Sequence, residues 1–191
     1  MTTIQALLID RDGVLIKDAG FVHKIEDFEF YPLVIEALQL LDKQTKIIII
    51  TNQAGIANGI FTEIEYFAFR DFLHAQFNKN GIHITAEYFC PHHPKGIVVP
   101  YNVSCSCRKP ATALFEQAIK DHHLTPSKCW TIGDMRRDIL AGQKVGIKSI
   151  LVKTGFGGQS GSGDEVVPDY VAEDLYDAVQ YIKKQENKVE N

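Results

Sequence analysis

The stretch IQALLIDRDG at residues 4–13 begins apolar and ends in a polar turn. Its first part, Ile4 to Ile9, is a short run that is apolar except for Gln5, and such a run bounded by a turn is typical of a strand buried on both faces. Asp10 and Asp12 follow at once, and Gly13 allows the chain to turn sharply there. We therefore predict a buried first strand that ends in two carboxylates.

The same alternation of apolar run and polar turn recurs along the chain, with helix-like segments between the runs. This pattern predicts an α/β fold, a Rossmann-like doubly wound parallel sheet with helices on both faces and no large cap domain. We expect one domain over residues 1–191. The further predicted strands are Lys46 to Ile50, Ala86 to Phe89, Cys129 to Ile132 and Ser149 to Val152.

Four helices can be placed between and after these strands. One begins at Thr62, where Thr-x-x-Glu with Glu65 is a capping box. The others are predicted at Pro110 to His123, at Arg136 to Val145 with Gly146 as its C-cap, and around Leu175, Val179 and Ile182. The glycine- and serine-rich stretch from Gly155 to Gly163 predicts a mobile loop.

Composition narrows the class of protein. The 191 residues are 45% hydrophobic and 23% charged, with a formal net charge of -4. An acidic chain disfavours nucleic-acid binding, and no apolar run approaches the ~20 residues that a membrane span requires. The N-terminus has no basic lead before its short apolar run, so we expect a cytoplasmic protein.

Polar residues follow three of the predicted strands at their carboxyl ends. Asp10 and Asp12 follow the first strand, Thr51 and Asn52 the second, and Asp134 the fourth. Each piece alone is a common turn or cap. In an open parallel sheet, however, these strand ends border one crevice, where ligands bind. The order and placement together predict a single site.

The chemistry of these side chains fits transfer of a phosphoryl group. Asp10 and Asp12 are two residues apart in extended chain, so both can face one substrate. We assign Asp10 as the nucleophile and Asp12 as the general acid and base. Such a carboxylate cluster needs a hard cation near a phosphate, which predicts Mg²⁺. Thr51 and Lys109 are the predicted donors to the phosphoryl oxygens.

Two short pairs, Cys90-x-His92 and Cys105-x-Cys107, supply three thiolates and an imidazole. This set suits a closed, structural Zn²⁺ site that fixes the intervening loop, although free thiols and solvated histidines are the simpler alternative. On geometry alone His93 could replace His92. The isolated Cys129 is interpreted as a small buried apolar residue.

The sequence resembles the haloacid dehalogenase-like superfamily of phosphotransferases from Ile9 to about Thr154. Its four motifs are present as Asp10-x-Asp12-Gly13, Thr51, Lys109 and Gly133-Asp134 with Asp138. Within it, the chain is similar to the bacterial phosphatases that act on a heptose 1,7-bisphosphate. The sequence segments that it shares with them are DRDG, GFVHKIEDFEF, TNQAGIA, CPHHP, CRKP and GDxxxD.

The resemblance implies hydrolysis of the C7 phosphate of a small-molecule sugar bisphosphate, with no nucleic-acid partner, by what we expect to be a monomer. It implies Mg²⁺ held by Asp10, the backbone carbonyl of Asp12, and Asp134. It favours His92 as the zinc ligand. Arg108 would recognise the substrate and Lys109 would stabilise the phosphoryl group. The remaining implied substrate contacts are Asp18, Ala19, Gly20, Phe21, Thr51, Asn52, Gln53 and Ala54.

The sequence departs from this family at Met135, where the family has a lysine that reaches the substrate, and at Ala54 and Val14, where it has serine and threonine. Loss of the lysine predicts a changed substrate affinity or anomer preference, unless Arg136 or Arg137 compensates.

Two other functions are compatible with the motifs. A histidinol-phosphate phosphatase shares the aspartates and a similar zinc loop, although the segment from Gly20 to Phe30 favours the heptose. A non-catalytic sugar-phosphate binding module would not need both Asp10 and Asp12. A nucleic-acid 3′-phosphatase is disfavoured by the charge balance.

Overall fold

A parallel sheet of six strands forms the centre of the computed structural model, which describes residues 4–158 and 166–189. The strand order is β3-β2-β1-β4-β5-β6, and every neighbouring pair is parallel. This is the strand order of doubly wound nucleotide-binding folds. The strands are β1 (Ala6–Ile9), β2 (Lys46–Asn52), β3 (Ala86–Cys90), β4 (Cys129–Gly133), β5 (Lys148–Val152) and β6 (Tyr170–Ala172).

Helices cover both faces of the sheet. They are α1 (Val34–Gln39), α2 (Ala54–Ala57), α3 (Glu63–Lys79), α4 (Ala113–Asp121), α5 (Arg136–Lys144) and α6 (Leu175–Val189), with short 3-10 turns at Ile25–Asp27 and Pro126–Lys128. No helix in the described part of the chain is both long and apolar enough to cross a bilayer.

Alternate side chains of β1 enter two separate apolar layers. Leu7 and Ile9 of β1 pack in the layer that contains the apolar faces of α1, α3 and α6. Ala6 and Leu8 point the other way and pack in the layer that contains α4 and α5. Burial on both faces explains why β1 is a continuous apolar run without polar alternation.

The chain reverses its direction across the sheet between β1 and β4. From β1 it proceeds through β2 to β3 on one side, whereas β4, β5 and β6 extend on the other. The carboxyl ends of β1 and β4 therefore border the topological switch point, where doubly wound folds bind ligands. Asp10 and Asp134 lie at these two ends.

The α/β prediction is confirmed, and its five strands are present with small shifts in their bounds. The capping box is formed, since the Thr62 side chain accepts from the backbone of Glu65 and the Glu65 carboxylate accepts from the backbone of Thr62. The helix α5 ends at Lys144 with Val145 as its C-cap, one residue earlier than predicted, and Gly146 follows at φ +79°. The predicted helix start at Pro110 is wrong: residues 108–111 form a turn, closed by the bond from Ala111 N to Arg108 O, and α4 begins at Ala113.

Three elements were not predicted, namely α1, α2 and β6. Each is short, from three to six residues, so its apolar pattern is too brief to show a period. Of the loop predicted from Gly155 to Gly163, residues 155–158 form a turn, and residues 159–163 lie outside the described residues.

Candidate active site

Three carboxylates meet at the switch point of the sheet. Asp10 follows β1, Asp134 follows β4, and Asp138 lies in the first turn of α5. One oxygen from each lies within 4.8 Å of the others. All three are buried: Asp10 is 6% exposed, and Asp134 and Asp138 are each 1% exposed.

Lys109 is the cation of this cluster. Its Nζ lies 3.1 Å from Asp10 Oδ1 and 2.7 Å from Asp138 Oδ1, and it donates to the carbonyl oxygen of Ile50 at 2.6 Å. Burial alone would lower the pKa of Lys109, but the two carboxylates outweigh it and raise that pKa. The lysine therefore stays charged behind Asp10.

One ammonium does not balance three carboxylates. With all four groups ionised the cluster carries three negative charges and one positive charge, a net charge of -2. Burial raises the pKa of Asp10 to about 6, against the opposing effect of Lys109. Burial, followed by the charge of Asp10, raises the pKa of Asp134 to about 7. The donor set and its missing charge fit a hard divalent cation such as Mg²⁺.

Two glycines let the backbone approach Asp134. Gly13 has φ +85° and Gly155 has φ +58°, and a Cβ at either position would overlap Asp134 Oδ2. The turn after β5 is also tied to this point, since Phe156 N donates to Asp134 Oδ2 at 2.8 Å and Thr154 Oγ1 donates to Gly13 O at 2.7 Å. Backbone from three strand ends therefore encloses one carboxylate.

The Asp12 carboxylate is held apart from this cluster. It accepts from Arg11 Nε at 3.1 Å and Nη2 at 3.0 Å, and from Gln53 Nε2 at 2.8 Å. Arg11 is fully buried, with its guanidinium 5.1 Å from the centre of the Phe69 ring. The Asp12 side chain remains 19% exposed, toward the pocket.

A cavity of about 280 Å³ opens above these groups. Most of the predicted site residues line it. They are Asp10, Asp12, Asp18, Gly20, Phe21, Asn52, Gln53, Ala54, Arg108 and Asp134. Ala19, Thr51 and Lys109 are absent from the lining. Ala19 is exposed, whereas Lys109 and Thr51 are buried, and Thr51 Oγ1 accepts from Gln53 Nε2 at 2.8 Å.

The lining also includes residues to which sequence reasoning gave no site role. Asn58 and Phe156 are of this kind, and His93 was considered only as an alternative zinc ligand. Phe156 follows the carboxyl end of β5, so the strand-end rule that found Asp134 also applies to it. Met135 and Arg137, which entered only through the departure from the family pattern, line the cavity as well.

Asn52 links the end of β2 to the segment that carries Lys109. Its Oδ1 accepts from Lys109 N at 3.1 Å, and its Nδ2 donates to Lys109 O at 3.2 Å. This paired contact fixes the backbone of Lys109 from one side.

A cluster of three sulfurs and one nitrogen lies on the other side of Lys109. Cys107 Sγ is 2.9 Å from Cys90 Sγ, 3.2 Å from Cys105 Sγ and 3.3 Å from His92 Nδ1. A tetrahedral site with Zn–S bonds of about 2.3 Å has edges of about 3.8 Å, so the four groups would move apart by less than about 1 Å to hold the metal. Burial raises the pKa of the Cys90 thiol, so thiolates here need a cation. The donor set fits Zn²⁺.

His93, the alternative zinc ligand, and Cys129, the isolated cysteine, both lie outside this cluster. His93 lines the catalytic cavity, and its Nδ1 accepts from Lys95 N at 3.2 Å. Cys129 is fully buried in the apolar layer that contains α4 and α5. Its role as a small apolar residue is confirmed.

The fold and this site define the class of protein: the chain belongs to the haloacid dehalogenase-like hydrolases. The HAD-hydrolase-like family model matches residues 106–178. The chain is also 38% identical, over 93% of its length and 98% of the relative, to the D-glycero-beta-D-manno-heptose-1,7-bisphosphate 7-phosphatase of Haemophilus ducreyi. It is 41% identical, over 80% of its length and 84% of the relative, to the alpha-anomer 7-phosphatase of Photorhabdus laumondii.

A solved structure resembles the whole chain. The D,D-heptose 1,7-bisphosphate phosphatase of B. bronchiseptica, complexed with magnesium and phosphate, matches with a TM-score of 0.82 and 26% identity. The match covers 95% of this chain and 99% of that one.

Proposed function

We propose that this protein hydrolyses the C7 phosphate of D-glycero-D-manno-heptose 1,7-bisphosphate through a phosphoaspartate at Asp10. One observation carries the proposal: Asp10 lies on the floor of an open cavity, between a buried lysine and a second buried carboxylate, Asp134. The relatives named for this activity are 38% and 41% identical, and they match over most of their length.

We propose that Asp10, Asp134 and the backbone carbonyl of Asp12 hold Mg²⁺. The Asp12 carboxylate is directed to Arg11 and Gln53, which leaves its carbonyl as the atom for this role. When bound, Mg²⁺ supplies the positive charge that lets a phosphate dianion approach these carboxylates. Asp138 stays on Lys109 and caps α5 by accepting from Met135 N at 3.0 Å.

In the first step a carboxylate oxygen of Asp10 attacks phosphorus, and the bond between phosphorus and the C7 oxygen breaks. Asp12 gives its proton to the leaving alkoxide, which departs as the alcohol. Lys109 keeps the attacking carboxylate in position, since its Nζ lies 3.1 Å from Asp10 Oδ1. Gln53 Nε2 holds the Asp12 carboxylate in position by donating a hydrogen bond to it.

In the second step water attacks the phosphorus of the phosphoaspartate. Asp12, now ionised, takes a proton from that water, and the bond between Asp10 and phosphorus breaks. The products are inorganic phosphate and heptose 1-phosphate, and Asp12 is again protonated for the next cycle.

The remaining cavity residues are proposed to bind the sugar. Asp18, Gly20 and Phe21 form one exposed wall, and Gln53 and Ala54 form another. Zn²⁺ at the cysteine cluster would fix the segment that leads directly into Arg108 and Lys109. The metal there is proposed to be structural, because four protein ligands leave it no open position.

The mechanism is tested with two variants. Asp10→Asn should lower phosphate release at least about 10³-fold, because the nucleophile is lost. Asp12→Asn should lower turnover by about 10²–10⁴-fold. With p-nitrophenyl phosphate, whose leaving group needs little protonation, it should also accumulate a phosphorylated Asp10 peptide, visible by mass spectrometry after acid quenching. The exposed Asp71→Asn is the control. A fully active Asp10→Asn enzyme contradicts the proposal.

The substrate is tested by comparing both anomers of heptose 1,7-bisphosphate with histidinol phosphate, with and without added Mg²⁺. We expect the highest kcat/KM for a heptose bisphosphate, and we expect no hydrolysis of any of these substrates without Mg²⁺. Faster hydrolysis of histidinol phosphate would overturn the substrate assignment and leave the phosphoaspartate mechanism in place.

A further inference from the structure

Two guanidinium groups line the cavity, whereas Lys109 is buried behind Asp10. Arg108 immediately precedes Lys109, and Arg137 is the second residue of α5. Both line the cavity, and both side chains are half-buried. Two like charges thus share one wall.

Neither group forms an ion pair with another described residue. Within residues 4–158 and 166–189, neither arginine has a carboxylate oxygen within 4.0 Å. The only hydrogen bond of the Arg108 guanidinium there is to the carbonyl of His92, at 3.3 Å. Arg137 Nε is buried and has no hydrogen-bond partner in the same part of the chain. A buried polar donor without a partner costs free energy unless a ligand satisfies it.

The ligand that meets this need is a second phosphate. The reacting phosphate lies at Asp10, where Lys109 already provides a protein cation. Met135, the residue that follows Asp134, lines the cavity with an uncharged thioether. The positive charge available to another dianion is therefore that of Arg108 and Arg137. A guanidinium binds phosphate with two parallel hydrogen bonds, which suits a clamp of two arginines.

We infer that Arg137, together with Arg108, binds the phosphate that is not hydrolysed, and that Arg137 selects sugar bisphosphates over sugar monophosphates. This inference rests on the proposed function and adds a specificity-determining residue to it. Arg137 takes no part in bond making. Its contact is the same in the ground state and the transition state, so it contributes uniform binding.

The chain contains a matched control for Arg137. Arg136 is its neighbour on α5 and has the same charge, but its side chain is exposed and does not line the cavity. Arg136→Gln and Arg137→Gln therefore change the net charge and the helix equally. They differ in whether the lost guanidinium lines the cavity that also contains Asp10.

The test compares kcat and KM for heptose 1,7-bisphosphate and for p-nitrophenyl phosphate, which has no second phosphate. Arg137→Gln should raise KM for the bisphosphate by about 10- to 100-fold with kcat nearly unchanged, as expected for lost uniform binding. The loss of kcat/KM for the bisphosphate should be at least about 10-fold larger than any loss for p-nitrophenyl phosphate, and Arg136→Gln should change neither. Arg137→Lys, which keeps charge but not the paired geometry, should fall between.

Binding of mannose 1-phosphate, measured by titration calorimetry, reports the same subsite without catalysis. We expect Arg137→Gln to weaken this binding and Arg136→Gln to leave it unchanged. Equal effects of the two variants, or an equal loss with p-nitrophenyl phosphate, would overturn the inference. If wild type does not hydrolyse the heptose bisphosphate, the proposed function fails, and the calorimetry alone decides for or against a phosphate subsite at Arg137.

Discussion

Replacing Asp134 by asparagine should make the magnesium-free protein more stable while removing its activity. The amide has nearly the same shape, and its oxygen can still accept from Phe156 N, the present partner of Asp134 Oδ2 at 2.8 Å. What the change removes is one negative charge from a buried cluster with a net charge of -2. Ligand sites commonly carry such destabilising charge, since binding rather than folding requires it.

The size of the effect follows from the pKa of Asp134, which burial and Asp10 raise from 3.8 to about 7. At about 1.36 kcal/mol per pKa unit, keeping Asp134 ionised in the folded protein costs about 4 kcal/mol of stability. An asparagine amide also loses solvation on burial, so we expect a net gain of about 2 kcal/mol above pH 7. For a domain of this size that is about 4–8 °C in Tm.

The pH dependence has a definite sign. Because the folded pKa of Asp134 is the higher one, the folded state binds more protons between pH 4 and 7, and wild-type stability falls as pH rises through this range. The advantage of Asp134→Asn should therefore be small near pH 4, grow up to about pH 7, and stay constant above it.

Thermal unfolding in magnesium-free, zinc-containing buffer from pH 4.5 to 8 measures this difference. Addition of Mg²⁺ should then raise the Tm of wild type and leave Asp134→Asn nearly unchanged, because one metal ligand is gone. The exposed Asp71→Asn, on α3, is the control for removing a charge elsewhere. A variant no more stable than wild type at pH 8, or a gain that does not vary with pH, would refute the electrostatic reasoning.

Two further changes address the second metal site and the backbone around Asp134. Cys105→Ser should lose bound zinc and most of its activity, because the segment leading to Lys109 then loses the metal that fixes it. Metal analysis showing unchanged zinc content would contradict the ligand set. Gly155→Ala should abolish the Mg²⁺-dependent rise in Tm, since its Cβ would overlap Asp134. Gly81→Ala is the control, because Gly81 has a similar φ of +73° and a Cβ there would have no atom within 4 Å. It should cost only about 1–2 kcal/mol of backbone strain. Equal Mg²⁺ responses in the two glycine variants would show that the overlap does not matter.

The local pattern of apolar and polar residues was enough to predict the parallel sheet. It also predicted that Asp10, Asp12 and Asp134 lie at one edge of that sheet. Strands buried on both faces are continuous apolar runs, and the polar residue that ends each run marks a strand's carboxyl end. The spacing of the two cysteine pairs likewise indicated one cluster, and the structure brings those four residues together. These features depend on neighbours in sequence, so the sequence alone contains them.

Pairings between distant segments required the tertiary structure. Nothing near Lys109 in the sequence shows that its ammonium lies between Asp10 and Asp138, or that Asn52 holds its backbone. The contrast between Arg136 and Arg137 is of the same kind. These adjacent residues have the same chemistry but different surroundings, because the placement of α5 against the sheet puts Arg137 in the cavity and Arg136 in solvent. Sequence specifies which groups are present at the strand ends, whereas packing of helices onto the sheet decides which of them meet.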